Sequence, residues 1–297
     1  MHRVPVFKTV LGAYAFVWQA RKDFVSLALP LVVAVAIVGT LFGWLWPPVF
    51  ATTPEEFEAA MANRRGGAML SGLLFAAISV AVFIMFAVAW HRRYLVPDEL
   101  TTVRAALRWG WRQTRFLLLT IAVGLIAALA YAVSLLVFAL IGGLLILVAS
   151  LIDGFLLSDQ GQTVIGGLAF AALVIAAGLL ALSIYGRLSM WFPSTAMDDR
   201  MSLRTCWAFS RGNGWRLALI IVLVTIPFLV LMLVVYVPLA FAMLGTGLFS
   251  SLTLQFLVSL VQLTISFIGT AAGVSALSIA YRELMAAGRA APPPVGA

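Results

Sequence analysis

The chain has 297 residues, 63% of them hydrophobic and only 10% charged, with a mean hydropathy of +1.09. A soluble domain carries roughly a quarter charged residues, so a soluble fold is excluded. Apolar runs longer than the ~20 residues of a crossing helix argue against a β-barrel, which would show short alternating segments. The formal charge of +8 lies in short connectors, which points to anionic lipid headgroups rather than nucleic acid as the partner.

Residues 2–23 read as an amphipathic surface helix, with Val10, Tyr14, Val17 and Trp18 at helical spacing and Arg21 and Lys22 at its end. Lys8, Arg21, Lys22 and Asp23 interrupt this segment, so it is not a signal peptide and is expected to be retained. The first span covers Phe24 to Trp46 and is closed by Trp44, Trp46 and Pro47-Pro48, with Pro30 as a site for a kink. Thr53-Pro54-Glu55-Glu56 is a capping box for a short helix to about Asn63. The second span, Ala68 to Trp90, ends on His91-Arg92-Arg93, and an interfacial helix is expected from about Asp98 to Arg115.

Phe116 to Ile152 is apolar for longer than one crossing needs, so a break is expected at Gly142-Gly143. Residues 142–157 would then lie along the outer surface or re-enter. After a loop over 153–162 the fourth span runs from Thr163 to Tyr185, and a basic, aromatic connector follows from Gly186 to Leu217. The fifth span starts at Leu217, carries Pro227 and Pro238, and dissolves around Gly245 and Gly247, which leaves 239–251 outer-surface or re-entrant. The sixth runs from about Thr253 to Tyr281, and the proline- and alanine-rich residues 290–297 are expected to be a disordered tail. Residues 1–289 then form a single membrane domain.

Seventeen of the nineteen Lys and Arg fall in alternate connectors, with only Arg64 and Arg65 on the other side. The positive-inside rule puts both termini in the cytoplasm. Three surface helices anchored at Thr9, Thr102 and Ser202 each have an aromatic seven residues on: Phe16, Trp109 and Phe209. Each then has a cation before the apolar run (Lys22, Arg115, Arg216) and an exit arginine (Arg92, Arg187, Arg282). This is read as a threefold repeat, approximately 5–93, 98–187 and 198–285, with parallel copies around an axis along the membrane normal. Small residues such as Gly72, Gly167, Gly178, Gly269 and Gly273 are expected to bring the even-numbered spans together near that axis.

The chemistry-bearing residues are few. Gln255, Ser259, Gln262 and Ser266, continued by Gly269 and Gly273, form a polar stripe in the last span. It reads either as interhelical hydrogen bonding or as the wall of a path, and the missing ionisable residue favours the former. His91 has no catalytic partner at a recognisable spacing and reads as an interfacial residue near phosphates. Asp98-Glu99 and Asp198-Asp199 fit helix N-termini better than a divalent cation site, and Asp153 is expected near the outer boundary. The lone Cys206 permits no intrachain disulfide or cysteine cluster. No cofactor and no metal are expected. An inner-face belt of Arg92, Arg93, Arg104, Arg108, Arg112, Arg115, Arg187, Arg204, Arg211 and Arg216, with Trp109, Trp111, Trp207 and Trp215, sets topology and attracts anionic lipid.

No phosphate loop, nucleotide fingerprint, zinc motif or nucleophile elbow is present in the sequence. The connector carries Arg187, Phe192-Pro193, Asp198-Asp199 and a W-A-F-S-R-G-N-G-W-R run from Trp207 to Arg216. In these it resembles bacterial six-span inner-membrane proteins of the glycerophosphoryl diester phosphodiesterase membrane-domain type. The resemblance implies a membrane domain without the separate hydrolase, so it brings no phosphodiesterase activity.

The expected fold is all-α and integral to the bacterial inner membrane: six transmembrane helices with three cytoplasmic interfacial helices in a pseudo-threefold repeat of hairpins. The expected function is non-enzymatic. The chain binds or organises anionic lipid, or serves as an accessory subunit beside other membrane-protein subunits. The alternative is a transporter or lipid-translocating protein with a path between the even-numbered spans.

Overall fold

The structure, a computed structural model, describes residues 3–45, 54–99, 108–152, 159–199, 201–244 and 251–290. All regular structure in these residues is helical: α1 (Val6–Gln19), α2 (Arg21–Leu45), α3 (Pro54–Leu95), α4 (Trp111–Ile152), α5 (Asp159–Leu188), α6 (Trp191–Ala196), α7 (Leu203–Phe209), α8 (Gly214–Leu244) and α9 (Leu252–Ala290). Six of them, α2, α3, α4, α5, α8 and α9, are long and apolar enough to cross a membrane. This fits a multi-pass membrane protein.

Several elements run further than the sequence reading placed them. The expected short helix before Asn63 and the second span are one continuous helix, α3, through Gly66-Gly67. Likewise α4 continues through Gly142-Gly143 to Ile152, so the expected break there is absent. A glycine costs a helix only about 1 kcal/mol relative to alanine. Opening a helix in hydrocarbon leaves backbone groups unpaired at several kcal/mol each. Pro30, Pro227 and Pro238 are carried inside α2 and α8 for the same reason.

The expected helix over Asp98–Arg115 is not one element. Asp98 and Glu99 lie in a turn, and Trp111–Arg115 belong to the first turns of α4. Thr102 and Arg104 lie outside the described residues. So do Trp46, Pro47-Pro48, Asp153, Gly245 and Gly247, around which the fifth span is expected to dissolve, and 291–297 of the expected tail. The connector from Gly186 to Leu217 holds two short helices, α6 and α7. In α7, Ser202 caps the N-terminus by accepting from the Thr205 N–H at 3.1 Å.

Each consecutive pair of long helices, α2–α3, α4–α5 and α8–α9, packs as a hairpin. α9 is the hub and touches α1, α2, α3, α6 and α8. The even-numbered spans do not converge. α5 packs chiefly on α4 and α8, without extensive contact to α3 or α9 among the described residues. The reason is the bulk of the helix faces that meet: Phe83 of α3 stacks on Phe267 of α9 at 4.6 Å, whereas a Cβ at Gly167 or Gly178 of α5 would meet nothing of α3 or α9 within 4 Å.

Two apolar clusters hold the bundle. One surrounds Trp90, Phe86 and Phe267 between α2, α3 and α9. The other joins α1, α8 and α9 through Ala13, Leu217, Ile220 and Ala276. α4 contributes only Phe116 and Val123 to the buried residues of these clusters and leaves Leu118, Leu125, Leu129, Leu136 and Leu140 exposed. A helix apolar on all sides is a lipid-facing helix. α1 buries Thr9, Val10 and Ala13, while Phe7, Leu11 and Trp18 are largely exposed. Trp18 therefore lies off the face that carries Val10.

Candidate functional site: the arginine-rich end and the cavity above it

Most of the arginines predicted to form an open belt are satisfied within the protein. Arg92, leaving α3, pairs with Glu99, donates to the Ala196 carbonyl at 3.0 Å, and stands 3.6 Å from Asp198. Arg93 binds Asp23 at 2.8 Å. Arg112 takes Asp198 with both nitrogens, at 2.8 and 2.5 Å, and Arg115 reaches toward the Asp199 carbonyl at 3.5 Å. The Arg112 hydrogen bonds hold the Asp198 carboxyl below the usual carboxylate range, and the charges of Arg112, Arg92 and Arg115 add to this. Asp198 is thus an internal counter-charge, while the Asp199 carboxylate accepts from the Tyr281 hydroxyl at 3.4 Å. The helix-terminus role expected for Asp198 is replaced by arginine pairing, because α6 packs against the end of α3 and the start of α4 here.

Arg187 lies over the Trp207 ring with its guanidinium carbon 3.7 Å from the centroid, and donates to the Trp207 carbonyl at 3.0 Å. Arg216 donates to the Val4 carbonyl at 3.0 Å, while the Val4 N–H donates to Asn213 Oδ1 at 3.0 Å. The G-N-G turn, whose Gly212 has φ 78°, therefore clamps the N-terminal segment to the start of α8. No sequence signal pointed to that role, since the bonded residues lie more than 200 positions apart.

Arg108, Arg204 and Arg211 are exposed, and among the described residues none of them is in a salt bridge. Arg204 lies in the first turn of α7 and Arg211 two residues beyond its end; Leu203 and Trp207 of α7 are exposed, as is neighbouring Trp215. Beneath α7, Cys206 is fully buried, and burial pushes its thiol up to about 11.

No family profile, curated protein or solved structure matches this chain.

Above α6 lies a cavity of about 560 Å³ between α8 and α9, walled at the arginine-rich end by His91, Phe116 and Phe192. Of the predicted polar stripe only Ser266 enters it. Gln262 is exposed, and Gln255 and Ser259 are half-buried away from the cavity. The lining on α9 begins at Ile265 and includes Gly269 and Gly273, so Gln255, Ser259 and Gln262 lie beyond its end along the helix rather than on another face. His91 is 1% exposed, so the interfacial position expected for it is replaced by burial. Its Nδ1 lies 2.7 Å from Ser278 Oγ. The other hydroxyls on the wall, Thr120, Tyr185, Thr225 and Thr270, are single polar residues on four helices and had no shared spacing to reveal them. Thr120, Thr225 and Thr270 each donate to the carbonyl four residues back, which leaves acceptor oxygens on the wall.

Proposed function

We propose that this chain is a non-enzymatic module of the bacterial cytoplasmic membrane that binds anionic lipid headgroups on the α7 face, alone or as the accessory subunit of a larger assembly. The observation that carries the reading is the division among its arginines. Arg92, Arg93 and Arg112 are neutralised by Asp23, Glu99 and Asp198, whereas Arg204 and Arg211 stand exposed beside Leu203, Trp207 and Trp215. Cations ringed by exposed tryptophan and leucine suit a headgroup boundary, where the rings seat at the interface and the charges meet phosphate.

In this reading both termini and α7 face the cytoplasm. The three hairpins are copies of one unit, in keeping with the pairing of consecutive spans. The similarity to the phosphodiesterase-associated membrane domain is taken as one of architecture, without its hydrolase.

The test is native mass spectrometry of the purified protein. The wild type should retain anionic lipid, and Arg204→Gln/Arg211→Gln should weaken retention roughly twenty- to thirty-fold, at about 1 kcal/mol per charge. Arg112→Gln, which removes an internally paired charge, should leave retention intact. Equal retention by the double variant would remove α7 as the site.

A second reading, lipid translocation, is favoured by the cavity between α8 and α9 rather than by a path among the even-numbered spans. Reconstituted vesicles carrying a fluorescent phospholipid would separate the two readings, because a static binder leaves the label in its leaflet.

A further inference from the structure

We infer that the cavity between α8 and α9 is a seat for one neutral, single-chain lipid whose polar end carries a hydroxyl, held with that end at His91 and its chain running along the two helices. This site is separate from the α7 face and does not depend on it.

Length comes first. The wall on α8 runs from Ile221 to Met232 and that on α9 from Ile265 to Leu277. At about 1.5 Å per residue these are about 17 and 18 Å long. One leaflet of hydrocarbon is about 15 Å, half of a ~30 Å core, so the groove matches the reach of a single extended chain. Volume agrees: about 560 Å³ lies in the range of pockets that take one small-molecule ligand.

Polarity selects the head. No Lys, Arg, Asp or Glu is on the wall, so a charged headgroup would be stranded there. The buried polar group at the arginine-rich end is His91. Ser278 has a single hydroxyl hydrogen, and its Oγ sits 2.8 Å from the Val274 carbonyl as donor. The 2.7 Å contact between Ser278 Oγ and His91 is then filled by the Nδ1–H. A ring carrying one proton presents Nε2 as an acceptor, and among the described residues nothing donates to it. A ligand O–H completes the pair. Room for the chain comes from Gly273, where an added Cβ would meet nothing within 4 Å.

The test uses the full chain, delipidated in detergent, with monopalmitoylglycerol and methyl palmitate as probes that share a chain and differ in the donor. Monopalmitoylglycerol should bind one per protein, and methyl palmitate about tenfold more weakly, the worth of one buried hydrogen bond. Gly273→Leu adds a helix-favouring residue into open space and should abolish binding of both. Ser266→Leu obstructs the groove further along α9 and serves the same purpose should Gly273→Leu misfold. His91→Phe should keep the chain and erase the preference. One-to-one binding to a folded, obstructed variant, or equal binding of the two probes, would overturn the inference. Loss of monopalmitoylglycerol in Arg204→Gln/Arg211→Gln would place it on the α7 face and overturn the inference equally, whereas loss of anionic phospholipid alone in that variant concerns only the α7 face.

Discussion

Arg112, in the first turn of α4, grips Asp198, the residue two beyond α6, through two bonds that span 86 positions of sequence. Asp198 has φ 60°, a left-handed backbone in which asparagine and aspartate are the non-glycine residues best accommodated. Asp198→Asn therefore removes the charge and keeps the backbone. Its side chain is half exposed, so screening limits the cost to about 0.5–1 kcal/mol. Asp198→Ala should cost more through the backbone alone. Thermal unfolding in detergent separates the two.

The same carboxyl sets an acid dependence. Its folded pKa lies below the ordinary 3.8, so its contribution is fully present above 3.8 and disappears as pH falls through the depressed value. Stability measured from pH 7 to 5 should show no step from this pair, and Asp198→Asn should remove any step seen below 3.8. A step from this pair near neutrality would contradict the assignment.

Gly186 lies where α5 meets the start of α8. A Cβ there would come within 2.7 Å of the Ala218 nitrogen and 2.9 Å of the Gly214 carbonyl oxygen. Both are backbone atoms and cannot swing aside, so Gly186→Ala must push α5 and α8 apart. Overpacking of this kind costs about 1–3 kcal/mol, read as a lower unfolding midpoint.

Trp90 is fully buried, and its Nε1–H is shared between the Ala271 carbonyl at 3.0 Å and Ser275 Oγ at 2.9 Å. Trp90→Phe loses that link to α9 and some of the ring, for about 1–2 kcal/mol. Ser275→Ala should cost less, because the Ala271 carbonyl still accepts. A double variant costing no more than Trp90→Phe alone would show that the two share one bond network.

Cys206 offers a local probe. With its thiol at about 11 rather than 9.0, about a hundredfold less thiolate is present at pH 8, and the sulfur is closed off under α7. Maleimide labelling should be slow in the folded protein and rapid in SDS. Fast native labelling would mean that α7 lifts readily from its seat.

The long apolar runs and their alternation with basic connectors were legible because membrane insertion selects on composition alone: twenty apolar residues behave similarly wherever they occur. Helix ends were less legible. Gly66-Gly67 and Gly142-Gly143 look like breaks by propensity, yet in hydrocarbon the backbone keeps its own hydrogen bonds. The arginine belt was legible as charge but not as function. Which of Arg112 and Arg204 is neutralised depends on where Asp198 lands, and that is fixed by how α6 folds back on the ends of α3 and α4.

By itself, then, the sequence determined a helical membrane protein with six apolar segments and one charge-bearing side, since burial of apolar surface and exclusion of charge are local, additive demands. Tertiary structure alone decided that α9 is the hub, that α8 and α9 leave a chain-shaped cavity, and that His91 faces it from the arginine-rich end. Those are matters of which helix faces meet, and helices of nearly uniform hydrophobicity carry too little pattern to say so. Packing among bulky side chains such as Phe83 and Phe267, and space left at residues such as Gly273, made the choice.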